Sequence, residues 1–266
     1  MHESARRVCA SVPGLQAYKL WNQVWNIDCH LRYTVARRAL AGIQPQRLVE
    51  VGAGVAGLGF LLKQPVMAVD IWFNAEVLRR FNPYVIPVIG TALNLPLGNN
   101  SMDAALSIDS IEHVPPQQRA DAIDELLRVA KKRVVISIPC GNAAEDADAR
   151  LIRWFHARHG ARSFWLSEHR ELGLPDDDAM YTMIDQAARR HGKRVSIASL
   201  WCMPILMHDI NHRVLMMANY RFARLLSLAL WLAYPLLLLA AGRARYRRFY
   251  FVEIHGFGAH PPAGDP

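Results

Sequence analysis

Cysteine is scarce and scattered in this chain: four residues, Cys9, Cys29, Cys140 and Cys202, none in a C-x-x-C pair. That distribution favours neither a disulfide framework nor a cysteine-built zinc site, and no metal is expected from the sequence. The N-terminal region lacks the compact apolar core of a signal peptide, which fits a cytoplasmic location. There is no internal repeat and no low-complexity segment. Lysine-rich tracts are also missing. The net charge of +8 comes mostly from arginines spread among helical stretches. No recognisable nucleic-acid-binding motif accompanies them, so nucleic acid is not the expected partner.

What the chain does have is a buried strand running into a glycine turn, Arg47-Leu48-Val49-Glu50-Val51-Gly52-Ala53-Gly54-Val55-Ala56-Gly57. Glycine lets the backbone approach a ligand closely, and the helix that follows such a turn offers free N–H groups at its start. A second apolar run, Val66 to Val69, ends at Asp70. An acid at the tip of the next strand can bind both hydroxyls of a ribose. Together these place a nucleoside-containing cofactor at the carboxyl ends of two neighbouring strands.

Gly52, Gly54 and Gly57 satisfy the dinucleotide pattern G-x-G-x-x-G. Glu50 argues against a dinucleotide, because a carboxylate at the end of this strand would repel a pyrophosphate. A cofactor with a cationic amino acid end and no phosphate tolerates the same carboxylate, and S-adenosylmethionine is of that kind.

The order and spacing of five motifs resemble the class I S-adenosylmethionine-dependent methyltransferases of the small-molecule, type 11-like group. They are Val49 to Gly57, Val69-Asp70-Ile71, Gly90 to Leu97, Ser101 to Val114, and the strand Arg133 to Pro139. The resemblance covers roughly residues 45 to 140. It implies that Glu50 and the turn Gly52, Ala53, Gly54 and Gly57 hold the amino acid portion of the cofactor. Asp70 would take the ribose hydroxyls and Ile71 would pack on the adenine. Thr91, Ala92 and Leu93 would line the adenine edge, although many relatives carry an acid where Thr91 stands. Asp109 and Ser110 would face the cofactor and the substrate cleft.

The implied fold is α/β, a Rossmann-like, seven-stranded, mostly parallel sheet with helices on both faces and an antiparallel seventh strand. Strand-helix alternation from Arg47 to Pro139 supports a parallel sheet independently. Asp121 to Lys131 carries an apolar stripe at helical spacing. Ala179 to His191 reads as a later helix, Arg194 to Trp201 as the sixth strand and Arg248 to His255 as the seventh. Residues 1–44 read as an N-terminal helical cap, amphipathic from Leu15 to Leu40, that either covers the sheet or serves as a lid. Residues 45–266 form the methyltransferase domain.

Methyl transfer by direct displacement needs chiefly alignment of acceptor, methyl and leaving sulfur. A hydroxyl acceptor also benefits from a general base, for which His113 is the first candidate; Glu112 is expected to cap a helix or orient a loop. A second polar cluster, Ser167 to Pro175, reads as a structural turn, with His169 or Glu168 facing substrate as the alternative. Phe164 and Trp165 are candidates for lining an apolar pocket.

Residues 203–246 form a hydrophobic insertion between the sixth and seventh strands, uncharged from Leu225 to Ala241 and flanked by Arg221, Arg224, Arg243, Arg245, Arg247 and Arg248. A single membrane crossing would separate two strands of one sheet. Pro235 should kink the segment. An in-plane or re-entrant hairpin is therefore expected, with the arginines reaching anionic head groups on the inner face of the membrane. A homodimer through the same leucines is the competing reading. The acceptor is a small molecule or a lipid-linked one. Two other classes stay open: a catalytically silent scaffold binding a partner through 203–246, and an NAD(P)-dependent oxidoreductase, which lacks support from a Tyr-x-x-x-Lys pair.

Overall fold

The structure is a computed structural model that describes residues 26–160, 163–217, 220–240 and 242–257. The expected cap before residue 26 lies outside the described residues. Short apolar runs, too short for helices and rich in Val and Ile, form the strands β1 (Leu48–Val51), β2 (Val66–Asp70), β3 (Val85–Ile89), β4 (Met102–Ile108), β5 (Ala130–Pro139), β6 (Lys193–Pro204) and β7 (Arg245–Phe257). They make one seven-stranded sheet in the order β3-β2-β1-β4-β5-β7-β6. All neighbours are parallel except β7, which runs antiparallel to both β5 and β6.

The helices are α1 (Ile27–Leu40), α2 (Leu58–Leu62), α3 (Ala75–Phe81), α4 (Arg119–Val129), α5 (Asn142–His159), α6 (Phe164–Leu172), α7 (Asp177–Arg190), α8 (Ile205–Leu215) and α9 (Tyr220–Ala240). On one face Ile123, Leu126 and Leu127 of α4 and Met180 and Ile184 of α7 pack on Val134 and Ile136 of β5. On the other, Tyr33, Ala36 and Leu40 of α1 pack with Leu58, Leu106, Val135 and Phe249. Alternate residues of β5 thus enter opposite cores. A central parallel strand covered on both sides therefore reads as a continuous apolar run.

The path leaves β1 toward β2 and β3 on one side and returns through β4 and β5 on the other. A crevice opens where such a sheet reverses its order, outside the carboxyl ends of β1 and β4. The glycine turn after β1, Asp70 at the end of β2 and Asp109-Ser110 after β4 all lie at that end.

The structure corrects three expectations. The leucine-rich segment is not a hairpin: α9 is one helix that continues through Pro235. Its inner face is fixed by tertiary packing, with Leu226 and Leu230 on Val214 and Met217, Tyr234 beside Met203 and Met207, and Trp231 edge-on to His30. Among the described residues no helix is long and apolar enough to cross a membrane. Second, Arg247 and Arg248 do not reach outward. Both sit in β7, where Arg247 is 2% exposed and bound to Asp28 and Asp109, and Arg248 pairs with Asp177. Third, the Ser167–Pro175 stretch is not simply a turn: Ser167 to Leu172 belong to α6, which is capped by Gly173 with φ +66°.

Candidate cofactor and acceptor site

The glycine turn is shaped by three positive φ angles, +77° at Gly52, +55° at Gly54 and +69° at Gly57. The turn is also tight. A Cβ on Gly52 would lie 1.8 Å from Ser110 Oγ, so the two expected site residues Gly52 and Ser110 touch across the crevice. At Gly54 the situation is the reverse, with no atom within 4 Å of a Cβ position. The turn is therefore closed toward β4 and open at Gly54, as a cradle for a ligand requires.

Asp70 sits at the tip of β2, where its Oδ2 accepts the Gly54 N–H at 2.9 Å and its Oδ1 has only a long 3.4 Å contact from the Trp72 N–H. The carboxylate ties the turn to β2 and keeps acceptor capacity for hydroxyls. Ile71 and Trp72 beside it are 61% and 54% exposed, an uncovered apolar ledge of the kind a purine ring covers. Thr91 Oγ1 accepts the Leu93 N–H at 3.2 Å, and Thr91 bridges to Asn94, which closes the 91–94 turn along the same rim. Ala92 packs on the core beneath.

Glu50 lies under the turn rather than on its surface. It is 1% exposed; Oε1 accepts the Tyr33 hydroxyl at 2.8 Å and Oε2 accepts the Leu58 N–H. Burial pushes its carboxyl pKa up, and those two hydrogen bonds offset only part of the rise.

Asp109 adopts φ +53°, in a left-handed region that aspartate tolerates better than most residues. Its carboxylate accepts from Arg32 at 2.8 Å, from Ser137 Oγ at 2.9 Å and from both Nε and a terminal nitrogen of Arg247. Arg247 also binds Asp28 at 2.7 Å. Burial alone would raise the Asp109 pKa; the guanidiniums of Arg247 and Arg32 hold it below the ordinary carboxylate range. The quartet clamps α1, β4 and β7 together at the floor of the crevice.

The chain after Ser110 turns through a short 3₁₀ segment, Ile111–His113. His113 Nδ1 meets Glu168 Oε2 at 2.7 Å, and His169 Nδ1 meets Asp148 Oδ2 at 2.8 Å. The two imidazoles lie 4.9 Å apart between centroids. Burial lowers the His113 pKa, but the Glu168 hydrogen bond and the charges of Glu112, Glu168 and Asp109 raise it overall. The expected site residues thus fall into two groups at one end of the sheet: a cradle from Glu50 to Leu93, and a Glu-His group beyond Asp109 and Ser110. Side chains of Phe164 and Trp165 lie outside the described residues.

Sequence reasoning missed Tyr33, Arg32, Arg247, Asp28 and Asp148. Their signal is long-range pairing across the sheet, which no local pattern carries. One hint was legible: the dipeptide Glu-His occurs twice, at 112–113 and 168–169.

Residues 49–138 match the protein family described as "Methyltransferase domain". No curated protein matches the chain. Among solved structures it is similar to a methyltransferase from an antibiotic biosynthesis pathway of Anabaena variabilis, at 18% identity and TM-score 0.53, covering 86% of this chain and 98% of that one. It is also similar to an S-adenosylmethionine-dependent methyltransferase of Thermotoga maritima, at 17% identity and TM-score 0.51, covering 91% and 96%. A third is phosphoethanolamine N-methyltransferase 2 of Haemonchus contortus in complex with S-adenosylmethionine, at 16% identity and TM-score 0.50, covering 82% and 52%. At such identities the structural likeness speaks for the fold. The open glycine cradle and the acid at the tip of β2 both lie within the stretch that matches the methyltransferase-domain family.

Proposed function

We propose that this chain is an S-adenosylmethionine-dependent methyltransferase acting on a small-molecule or lipid-linked acceptor held beyond β4, on the His113 side of the cofactor cradle. When bound, S-adenosylmethionine supplies a methyl group already activated on a sulfonium for direct displacement. The turn Gly52, Ala53, Gly54 and Gly57, stiffened from below by Glu50, orients the amino acid end. Asp70 takes the ribose hydroxyls through its underused Oδ1, Ile71 covers one face of the adenine, and Thr91, Ala92 and Leu93 line its edge. Asp109 and Ser110 form the wall between cofactor and acceptor. His113, held at Nδ1 by Glu168, presents Nε2 to the acceptor end.

The observation that carries this reading is the open space at Gly54 bounded by Asp70. Calorimetric titration with S-adenosylhomocysteine, S-adenosylmethionine and NAD tests it. The sulfur compounds should bind at micromolar Kd, Asp70→Ala should abolish that binding, and NAD should show none. Failure of both sulfur compounds to bind would leave a methyltransferase-like scaffold.

The outer face of α9 supports the lipid-linked alternative. Leu225, Leu228, Leu232 and Leu236 are 59–77% exposed, and Arg243 is exposed just beyond the helix. So large an apolar stripe beside a cation fits peripheral contact with an anionic membrane surface.

A further inference from the structure

Three Lewis bases converge beyond Ser110 without a shared partner, Glu112 and His169 buried and His113 partly so. Glu112 is 1% exposed and its Oε2 has no hydrogen-bond partner; His169 is 8% exposed and its Nε2 has none either. Each histidine has its Nδ1 against a carboxylate, Glu168 for His113 and Asp148 for His169. That pairing assigns the ring proton to Nδ1 and leaves the lone pair on Nε2. Carboxylate–histidine pairs of this form orient the ligands of metal sites and make them more basic. Asp148 is itself fixed, since Oδ1 accepts the Tyr246 hydroxyl at 2.9 Å. One ligand atom from each of Glu112, His113 and His169 lies within 4.8 Å of the other two.

We propose that Glu112, His113 and His169 bind one divalent transition-metal ion, and that this ion receives an oxygen of the acceptor. Two imidazoles and one carboxylate with open coordination positions are the donor set of catalytic zinc sites and of facial-triad sites. Ligands about 2.0–2.2 Å from one ion stand roughly 3–4 Å apart, so binding draws the three side chains in by about an ångström. The ion supplies what the cluster lacks. An unpaired buried carboxylate oxygen costs free energy, and a cation is the one partner all three atoms can share.

The acceptor chemistry rests on the methyltransferase reading above; the ion site does not. An acceptor hydroxyl bound to the ion loses its proton to water, because coordination lowers its pKa. Its oxygen then forms a bond to the methyl carbon as the carbon–sulfur bond breaks, with the bonding pair leaving on sulfur. The products are a methyl ether, S-adenosylhomocysteine and the released proton. His113 is then a metal ligand, and the substrate class is an alcohol or phenol with an oxygen free to coordinate.

Cobalt(II) chloride titrated into the metal-stripped full chain tests the site by visible absorption and equilibrium dialysis. One equivalent should bind. Glu112→Gln, nearly isosteric, and His113→Asn should abolish the bands. Asp148→Asn, which touches no ion, should weaken binding about 10–100-fold. Circular dichroism and S-adenosylhomocysteine titration of the same samples separate folding from ligation, and both should match the parent protein. Absence of cobalt binding to the parent, or binding equal in parent and Glu112→Gln, overturns the site. Loss of S-adenosylhomocysteine binding with cobalt binding kept would instead overturn the cofactor reading and leave the ion site standing.

Discussion

The hydroxyl of Tyr33 on α1 donates to Glu50 Oε1 at 2.8 Å and accepts the Gly57 N–H at 3.2 Å. One side chain thus joins the N-terminal helix to both ends of the glycine turn. All of it is buried: Tyr33 is 1% exposed, and burial with the neighbouring Glu50 charge pushes the phenol pKa well up. Tyr33→Phe keeps the ring and orphans a buried carboxylate oxygen and a backbone N–H. Leaving such groups unpaired costs about 1–3 kcal/mol. Urea denaturation should show that loss, and calorimetry should show weaker S-adenosylhomocysteine binding. Unchanged affinity would mean that the turn holds its shape without α1.

Gly52 and Ser110 make the closest approach in the site. A methyl at Gly52 meets Ser110 Cβ at 2.4 Å and must also adopt φ +77°. Overpacking and left-handed strain each cost about 1–3 kcal/mol. Gly52→Ala should therefore lose at least about 2 kcal/mol and most of its cofactor affinity. Pairing it with Ser110→Gly should restore only the steric part. A double-mutant cycle in urea measures this coupling, and strictly additive losses would contradict the contact.

The strands and the cofactor cradle were legible because they rest on local signals. A glycine turn between β1 and α2, and an acid ending β2, are short-range patterns, and the run Val134–Ile138 is apolar because β5 is covered on both faces. Boundaries moved where tertiary pairing overrode local pattern: β5 begins at Ala130, which the helical stripe had claimed, because Ala130 pairs with Met102. Arg247 shows the limit most clearly. From sequence it is one of a row of arginines flanking a leucine segment. In the sheet it lies in register with Pro139 and Cys202 and turns inward to Asp28 and Asp109. Likewise Glu168-His169 looked like part of a turn, because its partners Asp148 and His113 are distant in sequence.

The Arg247 quartet gives a pH dependence with a definite sign. Burial would raise the Asp28 pKa, but Arg247 and Arg32 depress it far below the ordinary value of 3.8. Asp109 is depressed in the same way. A folded-state pKa below the unfolded one stabilises above the unfolded value and loses that contribution as pH falls toward the folded one. The quartet's contribution to stability should therefore be level above about pH 5 and decline below about pH 4. Asp28→Asn should flatten that decline while lowering stability at pH 7, since breaking a buried pair costs about 3–5 kcal/mol. Urea midpoints between pH 3 and 7 (roughly the range over which carboxylates titrate) decide it. A variant with the parent's acid slope would show that other carboxylates control the acid limb.

The outer face of α9 makes the last prediction. Burying one leucine side chain is worth about 1.5–3 kcal/mol, so a stripe of four represents enough free energy to hold the protein on a bilayer surface. The inner face of the same helix is already committed to Val214, Met217 and Tyr246's neighbours Met203 and Met207, so the helix has no need to turn its outer leucines inward. Cosedimentation with vesicles containing phosphatidylglycerol should retain the protein, and neutral phosphatidylcholine vesicles should retain less of it. Leu228→Ser with Leu232→Glu should lower the partition coefficient at least about tenfold, since each change removes more than 1.4 kcal/mol of burial. Neither position touches the cradle, so S-adenosylhomocysteine affinity should stay unchanged. If the parent ignores both vesicles and instead elutes as a dimer that Leu232→Glu dissociates, the stripe belongs to a second copy of the chain. The lipid-linked acceptor then loses its main support.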